Sequence, residues 1–314
     1  MDAKTKAIDW TSYHAGELEV QTRAGVYAGD AGAEEMYRSA MPSGVQRFLT
    51  AQQLAVVATM ASNGRVWASL RSGPPGFLRV IDDSTLEIGG DAHPDDPLLS
   101  NVAAHAVAGV LAIQLAARQR VRVNGAAWPA DGGRILLRTR QVYGNCQQYI
   151  QARKVAGAIE APAQVSPADR PKPGAIRDWV EGADTFFIAT GHPDLGMDAS
   201  HRGGRPGFVR METDTRMVFP DYSGNNMFNS LGNITAYPPI GLLFPDFRSG
   251  AALQLSGVAR IVWPDSANIS RIARFPGARR LVEFDIERAI ELPQATRLRF
   301  QFDSYSPFLP KSQT

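Results

Sequence analysis

The sequence predicts a mainly β, α+β chain: two small β-barrels in tandem, closed or split, with short helices and a helical N-terminal extension. Three observations carry this expectation. Short apolar or β-branched runs alternate with Asn-Gly, Gly-Pro-Pro and Asp-Asp punctuation, as in an antiparallel meander. The same order of segments occurs twice, at an offset of 131 or 132 residues. The length of 314 residues, with 44% hydrophobic content, is enough for two ordinary cores.

Residues 1–48 read as the extension, because Glu34-Glu35-Met36-Tyr37 and Val45-Gln46-Arg47-Phe48 are helical in pattern. The first barrel is expected at 49–160. Strands fall at 54–60, 66–70, 76–81 and 85–88, and Asn63-Gly64 is a hairpin signal between the first two. Asp96-Pro97 opens a short helix running toward Ala104. Strands resume at 107–115, 120–128 and 134–142. Residues 161–175, rich in proline and polar side chains, read as an extended linker. The second barrel, at 176–314, repeats the order with strands at 185–189, 207–211 and 216–219, a helix near 227–234, and strands at 240–244 and 252–263.

The repeat is visible residue by residue. Leu99-Ser100-Asn101-Val102 answers Leu231-Gly232-Asn233-Ile234, Gly109-Val110-Leu111 answers Gly241-Leu242-Leu243, and Asn124-Gly125-Ala126 answers Ser256-Gly257-Val258. So long a period indicates two copies of a domain rather than a solenoid of short units. Gly125 and Gly257, inside late strands, are expected to mark bends of the barrels.

Composition narrows the function classes. A net charge of +2 gives no global attraction to nucleic acid. No apolar run approaches the roughly 18 residues of a membrane span, and the N-terminus leads into no apolar signal region, so the expected location is the cytoplasm. Cys146 is the only cysteine, which excludes an internal disulfide. It reads as a packed thiol, with a redox contact to a cofactor as the alternative. There is no His-Glu-x-x-His, no paired cysteines, no Gly-x-Ser-x-Gly elbow and no phosphate-binding Walker loop, so no metal or hydrolytic site is expected. Any chemistry belongs to a bound cofactor that the protein orients.

The most informative stretch is 200–210, Ser-His-Arg-Gly-Gly-Arg-Pro-Gly-Phe-Val-Arg. Its glycines let the backbone approach an anion, and its three guanidinium groups offer charge-assisted, often bidentate bonds. Ser200, His201, Arg202, Arg205, Phe208 and Arg210 are therefore candidates for a phosphate site. His201 reads equally as a contact to the ligand or as a core histidine. The upstream copy of this stretch has Pro74 where the second has Arg205. Its following loop carries Asp95-Asp96, which would repel a phosphate. Only the second copy is expected to hold one.

Four motifs together give the chain a resemblance to the pyridoxamine 5'-phosphate oxidase-like split barrels that bind FMN, and among them to long bacterial tandem-barrel proteins. These are Tyr13-His14-Ala15-Gly16-Glu17, Gly144-Asn145-Cys146-Gln147-Gln148-Tyr149-Ile150, the 200–210 stretch, and Phe219-Pro220-Asp221-Tyr222-Ser223-Gly224-Asn225. The resemblance implies FMN as cofactor and redox chemistry on a small molecule, with electrons from a nicotinamide or a redox protein. It places Arg205 and Arg210 where the oxidases use an arginine and a lysine for the flavin phosphate. Pro220, Asp221, Tyr222, Asn225 and Asn226 fall on the loop that meets the ribityl chain. Asp221 reads either as a ribityl contact or as the cap of a turn, and His14 with Glu17 either as a pair near the site or as a cap that docks the N-terminal arm. The sequence departs from the oxidases near Met227, where a second basic residue is expected. The first barrel would then serve as a built-in partner covering one flavin per chain. A homodimer is a further expectation. A flavin carrier or sensor without turnover is the alternative class, and a haem-binding barrel with His201 or His14 as axial ligand is the third.

Overall fold

The computed structural model describes residues 12–26, 37–144, 146–158 and 175–310. The proline-rich linker before Ala175, Glu34 to Met36 of the extension and Asn145 lie outside the described residues. In chain order the first half contains helices α1 (Ala15–Arg23) and α2 (Ser43–Thr50), strands β1 (Leu54–Met60), β2 (Val66–Ser72), β3 (Leu78–Asp82) and β4 (Thr85–Ile88), helix α3 (Leu98–Ala104), and strands β5 (Val107–Gln114), β6 (Gln119–Ala130), β7 (Arg134–Gly144) and β8 (Ala152–Ala158). The second half contains α4 (Ala175–Gly182), β9 (Thr185–His192), β10 (Gly196–Gly203), β11 (Arg210–Met211), β12 (Arg216–Asp221), α5 (Asn229–Ala236), β13 (Pro239–Pro245), β14 (Ala252–Val262), α6 (Ile269–Ile272), β15 (Arg280–Leu292) and β16 (Leu298–Ser304).

Two seven-stranded antiparallel sheets carry the same strand order. The first runs β2-β1-β5-β6-β7-β4-β3 and the second β10-β9-β13-β14-β15-β12-β11. Each curls around its own apolar core, Val57, Leu86, Val110 and Leu137 in one and Phe186, Phe219, Leu242 and Phe284 in the other. A bridge between Ser72 and Asp91 draws the two edges of the first sheet toward each other. The last strand of each half, β8 and β16, pairs with the other in a small third sheet.

A third core lies between the halves, where Leu54, Val56 and Leu111 meet Phe187, Ala189, Met197 and Leu243. Two glycines permit this contact. A Cβ on Gly109 of β5 would stand 2.7 Å from Asp198 Cα, and one on Gly241 of β13 would stand 2.7 Å from Trp67 Cα. Each sheet thus lays its β5 or β13 backbone directly on the edge strand of the other. Gly125 and Gly257 also behave alike, since the pairing register shifts at Asn124/Gly125 and at Ser256/Gly257. These are the β-bulges that bend a long strand around a barrel.

Most predicted elements stand within a few residues of their expected bounds. Asp96 caps α3 through its side chain, accepting from Leu98 N at 2.9 Å. The departures are β8, β10, β15, β16, α4 and α6. β10 reads Gly-Met-Asp-Ala-Ser-His-Arg-Gly, a poor strand by propensity, and exists because it pairs with β9 along eight consecutive residues. β15 mixes charged and apolar residues, yet β12 and β14 flank it on both sides. The strand expected at 207–211 shrinks to the two residues of β11.

Candidate functional site

A cavity open to solvent lies between the halves. The first half supplies Arg120 and Arg122 from β6 and Cys146, Gln148 and Tyr149 from the segment after β7. The second supplies the end of β10, Phe208, the loop from Pro220 to Asn226, and Phe228 to Leu231 at the start of α5. Tyr149 closes the two sides together: its hydroxyl donates to Ser223 O at 2.7 Å and its ring lies 5.1 Å from that of Tyr222.

The cavity is strongly cationic. Arg122 is buried, donates to Asp198 Oδ2 at 2.9 Å and to Ser200 Oγ at 2.5 Å, and is already balanced by that carboxylate. Tyr143 and Asn124 complete the Asp198 shell at 2.8 and 3.1 Å. Arg120 is different. Its Nη2 donates to the carbonyls of Cys146 and Gln148, at 2.9 and 2.8 Å, but its Nε and Nη1 are closed from solvent without a hydrogen-bond partner. Arg202 donates only weakly, at 3.3 Å to Ser200 Oγ and to His201 O. Behind the wall, Arg280 Nε stands 3.3 Å from Asp221 Oδ2.

Arg120, Arg122, Arg202 and Arg280 thus face Asp198 and Asp221. Four positive groups against two negative ones leave an excess of two. Burial, then the charges of Arg122 and Arg202, push the Arg120 guanidinium below its ordinary range. Burial followed by Arg120, Arg202 and Arg153 pushes His201 well down, so its imidazole is neutral, with both ring nitrogens lacking partners. Unpaired buried donors and uncompensated charge are costly. A dianion would relieve both at once.

The loop below this cluster is shaped for close approach. Asn226 and Phe228 take positive φ, 61° and 57°, a conformation that costs a bulky residue free energy and occurs where a fold over-determines it. Gln21 of α1 holds the turn by donating to Asn226 O at 3.1 Å. The first N–H groups of α5 have no acceptor within the helix and point their dipole toward the cavity wall.

Of the residues expected from sequence, His201, Arg202, Phe208, Pro220, Asp221, Tyr222, Asn225 and Asn226 line the cavity. Ser200 lies buried behind it, holding Arg122 and Arg202. Arg205 and Arg210 are corrected in position: neither lines the cavity. Arg205 stacks on Tyr305 at 4.5 Å, while Arg210 stacks on Phe275 at 4.4 Å and donates to Arg274 O. The reason is that β10 ends at Gly203 and β11 starts at Arg210, so the interval between them is a turn and not one strand. Met227 packs with Tyr37 and Tyr143. His14 caps α1 in a capping box with Glu17, and Asp221 ends β12 beside Arg280. Cys146 is exposed at the rim.

Arg120 and Arg122 were not anticipated. A signal for them existed in the repeat, because at the same offset the second copy has Ala252 and Gln254. What fills the corresponding place in the first half is a side chain of its own. Asp96 accepts from Ser69 Oγ at 2.6 Å and from Gln254 Nε2 at 3.0 Å, while Arg71, the counterpart of Arg202, is spent on the carbonyls of Gly90, Asp91 and Gly133.

Two antiparallel barrel-like sheets packed edge to face around a cationic inter-barrel cavity define the class, a tandem β-barrel protein with a cationic cleft. Residues 173–302 match the family model described as pyridoxamine 5'-phosphate oxidase. Similar solved structures include HupZ of Group A Streptococcus (16% identity, 38% of this chain and 97% of that one, TM-score 0.31). A putative pyridoxamine 5'-phosphate oxidase of Lactobacillus delbrueckii is 18% identical over 34% of this chain and 84% of its own, with a TM-score of 0.28. An FMN-binding protein of Syntrophomonas wolfei is 8% identical over 38% and 88%, with a TM-score of 0.29. No curated protein matches the sequence. No described helix is long and apolar enough to cross a membrane.

Proposed function

We propose that the chain is a flavoprotein that binds one FMN in the inter-barrel cavity and uses it to oxidise or reduce a small molecule. The observation that carries this is the pair of buried, unpartnered donors on Arg120 beside Arg202, within a cluster two positive charges in excess. A phosphate monoester is a dianion near neutral pH, with three strong acceptor oxygens. Arg120 and Arg202, with the start of α5, would hold it, and Asp221, Asn225 and Asn226 would meet polar groups beyond it. Tyr149, Gln148 and Cys146 would cover the remainder from the first half. When bound, FMN supplies hydride or single-electron transfer, from a nicotinamide or a protein donor. The residues around it supply binding, orientation and exclusion of water. No described group is placed as a catalytic acid or base.

The haem alternative rests on one observation, that His201 lines the cavity with both nitrogens unpartnered. His14 is removed from it, because Nδ1 accepts from Gly16 N and Nε2 meets Asn233 Oδ1. The absorbance spectrum of the purified protein, followed by denaturation and quantification of released chromophore, tests both. Paired flavin bands at about one per chain are expected. A Soret band, or a colourless protein that refuses added FMN, would overturn the flavin proposal.

A further inference from the structure

A second, smaller cavity lies on the other side of Asn229 from the first. Glu17, His14, Tyr143, His192 and Asp198 are among its walls, and Asn229 lines both cavities. Glu17 is buried, 3% exposed, and its carboxylate is held only by neutral donors: His14 N at 2.9 Å and Asn229 Nδ2 at 2.6 Å. The helix that carries it is pressed on α5, since a Cβ on Gly232 would stand 2.7 Å from Glu17 N. Glu17 therefore sits directly behind the N-terminus of α5, whose front faces the cationic cavity.

The groups facing Glu17 from each neighbouring element are few. Tyr13 and His14 come from its own arm, Tyr37 from the segment before α2, and Arg122 and Tyr143 from β6 and β7. His192 ends β9, Asp198 lies on β10, and Asn229 starts α5. His14 Nε2 is 3.6 Å from Glu17 Oε2, but burial and then His192 push its pKa down to about 4, so it is neutral at pH 7. Burial first holds the hydroxyls of Tyr13, Tyr37 and Tyr143 protonated. Arg122 is paired with Asp198. No cation is left to fix the charge of Glu17 among the described residues.

Resting on the anion-binding proposal for the larger cavity, we propose that Glu17 is a proton site linked to that cavity: it takes a proton from solvent when a dianion enters and returns it when the dianion leaves. Across the wall, the field of Arg122 favours ionised Glu17 only weakly, behind the bonds from His14 and Asn229, and Asp198 opposes it. A dianion seated on the arginines cancels that field and adds repulsion of its own, and protonation removes the repulsion. Burial, the largest cause, pushes the Glu17 carboxyl up to about 7, which places the exchange at neutral pH. His201, already far below its ordinary value, does not titrate in this range.

Inorganic sulfate tests the linkage, because it stays a dianion throughout and carries no proton of its own. Its Kd is measured calorimetrically from pH 6 to 8.5 on the full chain, in two buffers of different ionisation heat. A rise of one unit in the Glu17 pKa on binding corresponds to a weakening of Kd by about sevenfold across that range, with uptake of about half a proton near pH 7.5. Glu17→Gln should bind sulfate with a flat profile and no uptake. Binding with zero uptake in the unaltered protein overturns the linkage and needs no variant. A slope that survives in Glu17→Gln and disappears in His201→Gln overturns it as well. No sulfate binding at any pH overturns the anion cavity itself, and the linkage with it.

Discussion

Replacing Arg120 with glutamine separates the cavity seen in the structure from the arginine pair that motif spacing favours. The guanidinium spends one nitrogen on the carbonyls of Cys146 and Gln148 and leaves Nε and Nη1 buried without a partner. Two charge-assisted bonds to a phosphate, at the lower end of about 1.5 kcal/mol each, total about 3 kcal/mol. At about 1.4 kcal/mol per factor of ten, Arg120→Gln should weaken FMN binding about 100-fold. The unliganded variant should lose no thermal stability, because the removed charge is already repelled by Arg122 and Arg202. Titration of apoprotein with FMN, followed by flavin fluorescence quenching, gives Kd, and a thermal melt without ligand gives stability. Arg205→Ala, which removes only a stack on Tyr305, should change Kd less than threefold. A normal Kd in Arg120→Gln together with a large loss in Arg205→Ala would refute this assignment and restore the pair flanking residues 206–209.

Two further outcomes concern stability. Glu17 has a raised pKa in the folded protein, so its contribution is full below about pH 4.5 and is lost as pH rises through about 7. The span corresponds to about 3 kcal/mol. His14 has a lowered one, so its contribution is present above pH 6.5 and lost as pH falls through about 4. Relative to Glu17→Gln, denaturant melts of the unliganded protein should show about 3 kcal/mol of stability lost between about pH 4.5 and 7.5, with the His14 loss at acid pH kept in both; pH profiles that run parallel in the two proteins would disprove the Glu17 assignment. Gly241→Ala inserts a methyl group against the Trp67 backbone and should cost about 1 to 3 kcal/mol. An unchanged melting temperature would show that the inter-barrel contact yields to a methyl group.

Much of the barrel was legible because its cause is local. Asn63-Gly64 turns, β-branched runs and the Asp96 cap act within a few residues, and the repeat doubled every signal. The repeat also flagged the glycines. Gly109 and Gly241 match at one offset because each lets the same kind of backbone crossing occur, and Gly125 and Gly257 because each bulges the same long strand. β10 and β15 were hidden, since their strand character comes from the neighbours that pair with them and not from their own residues.

The site divided along the same line. By itself the sequence determined that the second copy carries the arginine-rich turn and the Pro220 to Asn226 loop, because those residues are contiguous in the chain. It also marked the first copy as different, through Pro74 and Asp96. Only the tertiary structure decided which guanidinium groups share a cavity. Arg120 and Arg202 are 82 positions apart and meet because β6 and β10 come from different barrels that pack on each other, whereas Arg205, three residues from Arg202, is turned away by the end of a strand. Charge clusters are set by distance through space, and in a chain of two interlocked barrels that distance is fixed by the interface between them.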